Sequence, residues 1–456
     1  MKYNTYFSLL TSHFSLKNMY KKTMLENGIR VVTETMPDVR SISMGVMVDA
    51  GPRDELPGQG GLAHLTEHAM FQGTGSRNAM QIARMIDSAG GQMGAFTARD
   101  YTCYSATVLD DYYPYVLDLL GDILLNSVFP AEHLEREKMA ILRELDAGND
   151  VPNERVHTLL KAFVWSDHPL GRPIIGDPES LKKLGREHVI KFVLENYLPN
   201  RFIVAAVGNV GHEDFVAQVR DAFWRMLPKR SVADGQMPVN TYDTGSDLPP
   251  YQSGVTIENV PVSQAYYSIG IRAWPYAHPD RYGMYVLNNI LGGGISSRLF
   301  LRLREERGLV YDISSEYHAY RDDGLLVIEG STAPEHLMQV LGLTLIELWR
   351  LVTADDPADE EELWKARMQI RGQHLIAGED TNTRMSRLAT QELYFGRQIP
   401  GDEILGKIEA MNIASFQEFA EKALVHSLPG ITVAIVGPDA PEYYSVSMVE
   451  ELLEDF

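Results

Sequence analysis

The stretch GGLAHLTEHAMFQGT brings His64, Glu67 and His68 within five positions of one another. On a helix, two imidazoles four residues apart lie on one face, about 6 Å apart, close enough to share a tetrahedral zinc ion. Glu67 falls on the same side, where a carboxylate can reach a water beside the metal without being a ligand. Helical phase agrees: Leu62, Leu65 and Ala69 form an apolar stripe, and His64, Glu67 and His68 fall opposite it. The order is the inverted form of the common HExxH arrangement. The same text also reads as a solvated helix face that carries two histidines and an acid, and the stretch alone leaves both readings open. A zinc hydrolase needs a third protein ligand and keeps its fourth position for water. Downstream, EHLEREKMAILRELDAGND starts at Glu132 with an apolar stripe at Leu134, Ile141, Leu142 and Leu145. Glu137 and Glu144 are two helical turns apart and share one edge of that stripe. A carboxylate there can turn toward a metal on a neighbouring helix, but helical phase alone favours two flank charges on an acid-rich helix.

The elements that must hold these residues follow from the organisation of the chain. With 456 residues, it is too long for one ordinary core. The polar segment SVADGQMPVNTYDTGSDLPPYQ, residues 231–252, carries no helical or strand period and reads as a linker. It divides the chain into an N-terminal extension (1–22) with a first domain (23–230), and a second domain (253–456). The two domains repeat one pattern. GDPESLKKLGREHVIKFVLENYLPNRFIVAAVGNV from Gly176 and GDEILGKIEAMNIASFQEFAEKALVHSLPGITVAIVGP from Gly401 each predict a turn, a short helix, a longer helix and a strand ending in Val-Gly. The starts also correspond, at Glu26 and Gly254, and each predicts a hairpin followed by a helix. The expected fold is α+β: two homologous sandwiches, each a mostly antiparallel sheet with helices on one face.

Composition narrows the function classes. There are 41 Lys and Arg against 62 Asp and Glu, a formal charge of −21, which disfavours nucleic-acid binding. Cys103 is the only cysteine, so a disulfide framework and a cysteine-built metal site are excluded within one chain. No stretch reaches the ~18–20 apolar residues of a membrane span. The N-terminus has Lys2, Lys17, Lys21 and Lys22 before its first acid, Glu26, yet its apolar pieces are too broken for a secretory signal. A cytoplasmic location is the expectation. An organelle matrix, or a periplasm after removal of an N-terminal segment, is the alternative.

Taken together, HLTEHAMFQGT and Glu144 in ERxxxxILREL, 76 residues after His68, resemble the M16 metallopeptidases, the pitrilysin and mitochondrial-processing-peptidase family. That resemblance implies His64, His68 and Glu144 as zinc ligands, Glu67 as general base and Glu137 as a supporting acid behind the ligands. GGQMGAFTARDYTCY from Gly90 is similar to the family's edge strand, GGxxNAxTxxxxTxY, which takes the substrate backbone as an added strand. It implies a peptide lying along Ala95 and Phe96. Gly94 stands where the family has Asn, so one side-chain hydrogen bond to the peptide is missing. The second domain has no HxxEH but carries LGGGISSRLFLRLREERGLVYDI from Leu291, similar to the family's C-terminal signature. There Arg304 and Tyr311 would supply donors to bound substrate. The resemblance implies a zinc endopeptidase for short or unfolded peptides, enclosed in a chamber of two such chains. A homodimer is the natural assembly and a heterodimer with a silent sister the alternative. A non-catalytic core or assembly subunit of the same fold, or a partner that binds peptides without cutting them, is the rival function.

Overall fold

The computed structural model describes residues 20–224, 248–353, 355–425 and 430–455. The first half runs β1 (Tyr20–Met24), β2 (Arg30–Thr35), β3 (Ser41–Val48), α1 (Leu62–Met70), α2 (Ala79–Ser88), β4 (Gln92–Thr97) and β5 (Thr102–Leu109). It continues through α3 (Tyr113–Asn126), α4 (Ala131–Asn149), α5 (Pro152–Val164), α6 (Pro178–Lys183), α7 (Arg186–Asn196), β6 (Phe202–Gly208) and α8 (His212–Phe223). The second half repeats the sequence with β7 (Gly254–Asn259), β8 (Ala265–Ala273), α9 (Arg281–Gly292), a π-helical turn (Phe300–Glu305), β9 (Val310–Ala319) and β10 (Gly324–Thr332). Then follow α10 (Leu337–Arg350), α11 (Glu360–Ala377), α12 (Thr381–Phe395), α13 (Gly401–Glu409), α14 (Ile413–Val425), β11 (Thr432–Gly437) and α15 (Val446–Glu454). Residues 1–19 of the expected extension and 231–247 of the expected linker lie outside the described residues, and β1 begins inside the span 1–22.

Apart from β1, which has no counterpart in the second sheet, the sheets have matching orders, β1-β2-β6-β3-β5-β4 and β7-β11-β8-β10-β9, and each contains a single parallel pair, β2–β6 and β7–β11. The hairpins expected at the start of each half do not form. β6 inserts between β2 and β3, and β11 between β7 and β8. The physical reason is burial. Every residue of β6 and of β11 is buried, so these strands need neighbours on both sides. The links 36–40 and 260–264 are long enough to step across one strand at ~4.8 Å spacing on either side.

Each sheet carries its own half's helices on one face, and two large cores form there. The other face of each sheet is covered from the opposite half. Helix α12 sets Met385, Leu388 and Ala389 against Val32, Met47 and Ile203 of the first sheet. Helix α5 sets Val156, Leu160 and Val164 against Leu325, Val327, Ala434 and Val436 of the second. α5 and α12 occupy the same place in their halves, so the exchange is reciprocal. Both seats are glycines of a central strand: a Cβ on Gly45 would stand 2.6 Å from Met385 Sδ, and one on Gly270 3.2 Å from a Leu160 methyl. No helix among the described residues is long and apolar enough to cross a membrane.

Candidate active site

Helix α1 is buried nearly all round, because it packs among α4, α7 and the edge strand β4. The face that carries His64, Glu67 and His68 looks into a cleft of about 450 Å³, lined also by Ala95, Phe96, Thr97, Glu144, Ile174 and Ile175. His64 is 9% and Glu67 8% exposed. The helix starts at Gly61, which has no side chain to cap it. Glu55 fills that role from the preceding loop: its carboxylate accepts the Ala63 N–H at 2.8 Å and the Gly61 N–H at 3.3 Å. Burial pushes Glu55 up to about 8, opposed by those same N–H donors. Gly61 (φ +86°) and Gly176 (φ +80°) let the cleft wall pass close to this helix start, since a Cβ on either would press within 2.6 Å of a backbone oxygen.

The two imidazoles meet edge to face, with centroids 4.7 Å apart. His64 Nε2 lies 4.0 Å from one Glu144 oxygen and His68 Nε2 3.9 Å from the other. Among the described residues, His64, His68 and Glu144 are the group whose donor atoms, all within 4.8 Å of one another, could hold a metal ion. Those gaps exceed hydrogen-bond length, so three acceptor-bearing groups converge without satisfying one another. Burial, with His68 adding to it, pushes His64 down to about 4, which keeps its ring neutral and able to ligate. Its Nδ1 is buried and has no partner. His68 is oriented from behind: its Nδ1 stands 3.0 Å from Glu137 Oε2, the kind of carboxylate contact that fixes a ligating imidazole's tautomer. Two imidazoles and one carboxylate form a donor set that suits zinc.

Glu67 points into the same cleft. Its carboxyl is raised above the usual range by burial and, less, by Glu144, while the Thr97 hydroxyl and His68 oppose the shift. Ala95 and Phe96 lie on β4, which among the described residues pairs only with β5 and leaves its other edge unpaired beside the cleft. Gly94 faces open space, so nothing in the fold requires a glycine there. Arg304 and Tyr311 are elsewhere. Both belong to the second half, where the Arg304 guanidinium lies 4.6 Å from the Phe300 ring and 5.4 Å from the Tyr311 ring. Tyr311 is 78% exposed, and every residue lining the cleft comes from the first half.

Sequence reasoning missed Glu55, Thr97, Ile174 and Ile175. An uncapped glycine start with an acid shortly before it was the available signal for Glu55. Thr97 lies inside the edge-strand motif, which gives it no local signal of a role. The RPIIGD loop offers no local signal, because only folding brings it across the cleft.

Comparison with known proteins supplies the rest. Residues 30–178 match the model described as insulinase (peptidase family M16), and residues 183–370 match the peptidase M16 inactive domain. The protein of Bacillus subtilis (strain 168) named uncharacterized zinc protease YmxG is 32% identical over 420 residues, covering 92% of this chain and 98% of its own. Rv2782c of Mycobacterium tuberculosis (strain H37Rv), likewise named a zinc protease, is 35% identical over 418 residues, covering 92% and 93%. Among solved structures, a protease from Helicobacter pylori superposes with a TM-score of 0.82 at 17% identity, covering 92% of this chain and 99% of its own. A peptidase M16 inactive domain from Pseudomonas fluorescens gives 0.81 at 20% identity, covering 92% and 98%. Relatives at this identity span nearly the whole of both chains, and the chain belongs to the M16 peptidase family.

Proposed function

We propose that the chain is a zinc-dependent endopeptidase acting on short or unfolded polypeptides. The observation that carries this reading is the convergence of His64 Nε2, His68 Nε2 and the Glu144 carboxylate beside an open strand edge, with Glu67 in the same cleft. His64, His68 and Glu144 would hold the ion. When bound, zinc acts as a Lewis acid that activates water and polarises a carbonyl.

The remaining work belongs to side chains of this protein. A peptide adds to the free edge of β4, and its backbone is held extended past Ala95 and Phe96. Glu67 takes the proton from the attacking water and passes it to the amine nitrogen as the peptide bond breaks. Burial suits it to both tasks, because a carboxyl raised above its usual range accepts a proton more readily. Glu137 holds the His68 ring, so the ligand face of α1 does not swing. Arg304 and Tyr311 donate to the peptide from the opposite side. Because the cleft is lined by first-half residues alone, we assign these donors to a second copy of the chain, in a homodimer with two sites completed in trans.

A quenched, unstructured peptide tests the reading. Wild-type protein loaded with zinc cleaves it, chelation stops cleavage, and Glu67→Gln abolishes turnover while zinc stays bound. Loss of the general base costs about 10²- to 10⁴-fold. Cleavage that survives chelation, or zinc-loaded wild type that binds the peptide without cutting it, overturns the proposal and favours a peptide-binding partner.

A further inference from the structure

A glutamate carboxylate turns easily about its last torsion, which has broad minima. A buried general base therefore needs something to choose its orientation. Among the described residues, that donor is Thr97, whose hydroxyl gives a hydrogen bond to Glu67 Oε2 at 2.5 Å. Thr97 is the last residue of β4, the edge strand along the cleft, and is paired with Thr102 of β5. Its β-branched side chain is stiff about χ1, so the strand backbone aims the hydroxyl.

The strand end is itself held from both halves of the molecule. The turn after Thr97 is closed by the Ala98 N–H donating to the Tyr101 carbonyl at 2.8 Å. Within that turn the buried Asp100 accepts from Arg53 Nη1 at 2.8 Å, from the Arg321 N–H at 3.1 Å and from the Tyr394 hydroxyl at 2.7 Å. Arg99, also buried, donates to the carbonyls of Leu170 and Arg172, just before Ile174 and Ile175 in the cleft wall. Base, strand end and wall are thus fixed to one another, and two of the clamping groups, Arg321 and Tyr394, come from the second half.

We propose that Thr97 is a positioning residue for Glu67: by occupying Oε2 it leaves Oε1 free for the attacking water, and it sets the base at a fixed place relative to the strand that receives the peptide. This rests on the endopeptidase reading above. A hydroxyl that merely satisfied a buried carboxylate would contribute to stability, and its loss would appear in the melting temperature rather than in turnover. A positioning hydroxyl acts on kcat, because a displacement of about 1 Å at a catalytic group can cost about 100-fold.

The experiment compares full-length, zinc-loaded wild type with Thr97→Val and Thr97→Ser. Valine keeps the branched shape and removes the donor, whereas serine keeps the donor. Expected for Thr97→Val is full zinc content, an unchanged KM and a kcat about 10- to 100-fold lower; Thr97→Ser recovers most of that loss. Unchanged kcat in Thr97→Val, zinc lost in step with activity, or serine no better than valine overturns the proposal. Crystal structures of wild type and Thr97→Val give a readout that needs no turnover. The Glu67 carboxylate should hold one orientation in the first and turn or split in the second, and an unmoved carboxylate overturns the assignment. If wild type fails to cleave, the endopeptidase reading falls, and the carboxylate orientation still decides whether Thr97 positions Glu67.

Discussion

Helices α1 and α4 of the first half, and α9 and α11 of the second, stand in the same place of one repeated topology, yet they use their contact differently. Between α1 and α4, two imidazoles and a carboxylate face one another at about 4 Å and leave their donor atoms unsatisfied. Between α9 and α11, a side chain holds the backbone instead: Gln369 Nε2 donates to the Gly293 carbonyl at 3.0 Å. Nearby, Arg298 grips Glu362 with two bonds of 2.7 Å. The first half gathers metal-ligand donor types at this contact where the second spends side chains on fixing the chain, and this is what a binding site grafted onto a duplicated frame looks like. The frame is shared in a stronger sense too, because each half supplies the helix that covers the other's outer sheet face.

The largest expected effect sharpens the difference between the helix pairs. Wild type should hold about one zinc per chain, with Glu144→Gln losing it together with about 10³-fold or more of cleavage, as first-half chemistry alone requires. Two zinc ions per chain by elemental analysis would break the comparison, since the second half would then hold one as well. Next come the exchanged helices. Leu388→Ala on α12 and Leu160→Ala on α5 each remove a buried anchor, at about 2–5 kcal/mol. The signature to look for is crossed: hydrogen exchange should quicken in β3 and β6 for the first variant and in β8 and β11 for the second. Quickening confined to the variant's own half would show that the covering helices carry no load across the molecule.

The smallest effect separates the roles of the halves. Arg304→Ala should keep its zinc and lose about 10- to 100-fold in kcat/KM, the worth of a charged hydrogen bond. Mixing it with Glu144→Gln chains should restore about a quarter of wild-type activity, the share that random pairing into symmetric dimers leaves intact. A mixture as inactive as its parts would place both sets of residues in one chain's site.

Much of this is legible in the sequence, and the line falls at a physical boundary. His64, Glu67 and His68 could be grouped because a helix fixes neighbours three and four apart by local geometry. The duplication showed for the same reason, since the turn, two helices and strand starting at Gly176 and again at Gly401 are local patterns. Strand partners were misjudged where the nearest segment in sequence lost to β6 or β11, strands whose full burial demands the middle of a sheet. Periodicity likewise leaves open whether the polar face of α1 meets solvent or a site, and packing among α4, α7 and β4 decides for the cleft.

By itself, then, the sequence determined which helix carries the paired imidazoles, that the chain repeats one architecture, and that a single cysteine rules out a disulfide framework within the chain. Only the tertiary structure decided that Glu144 stands beside the two imidazoles, that Glu137 backs His68, that Thr97 reaches Glu67, and that the halves exchange α5 and α12. The reason is range. Periodicity records what a residue must bury or expose, whereas the partner it meets across 30 or 76 positions depends on how whole elements pack, and no local spacing encodes that.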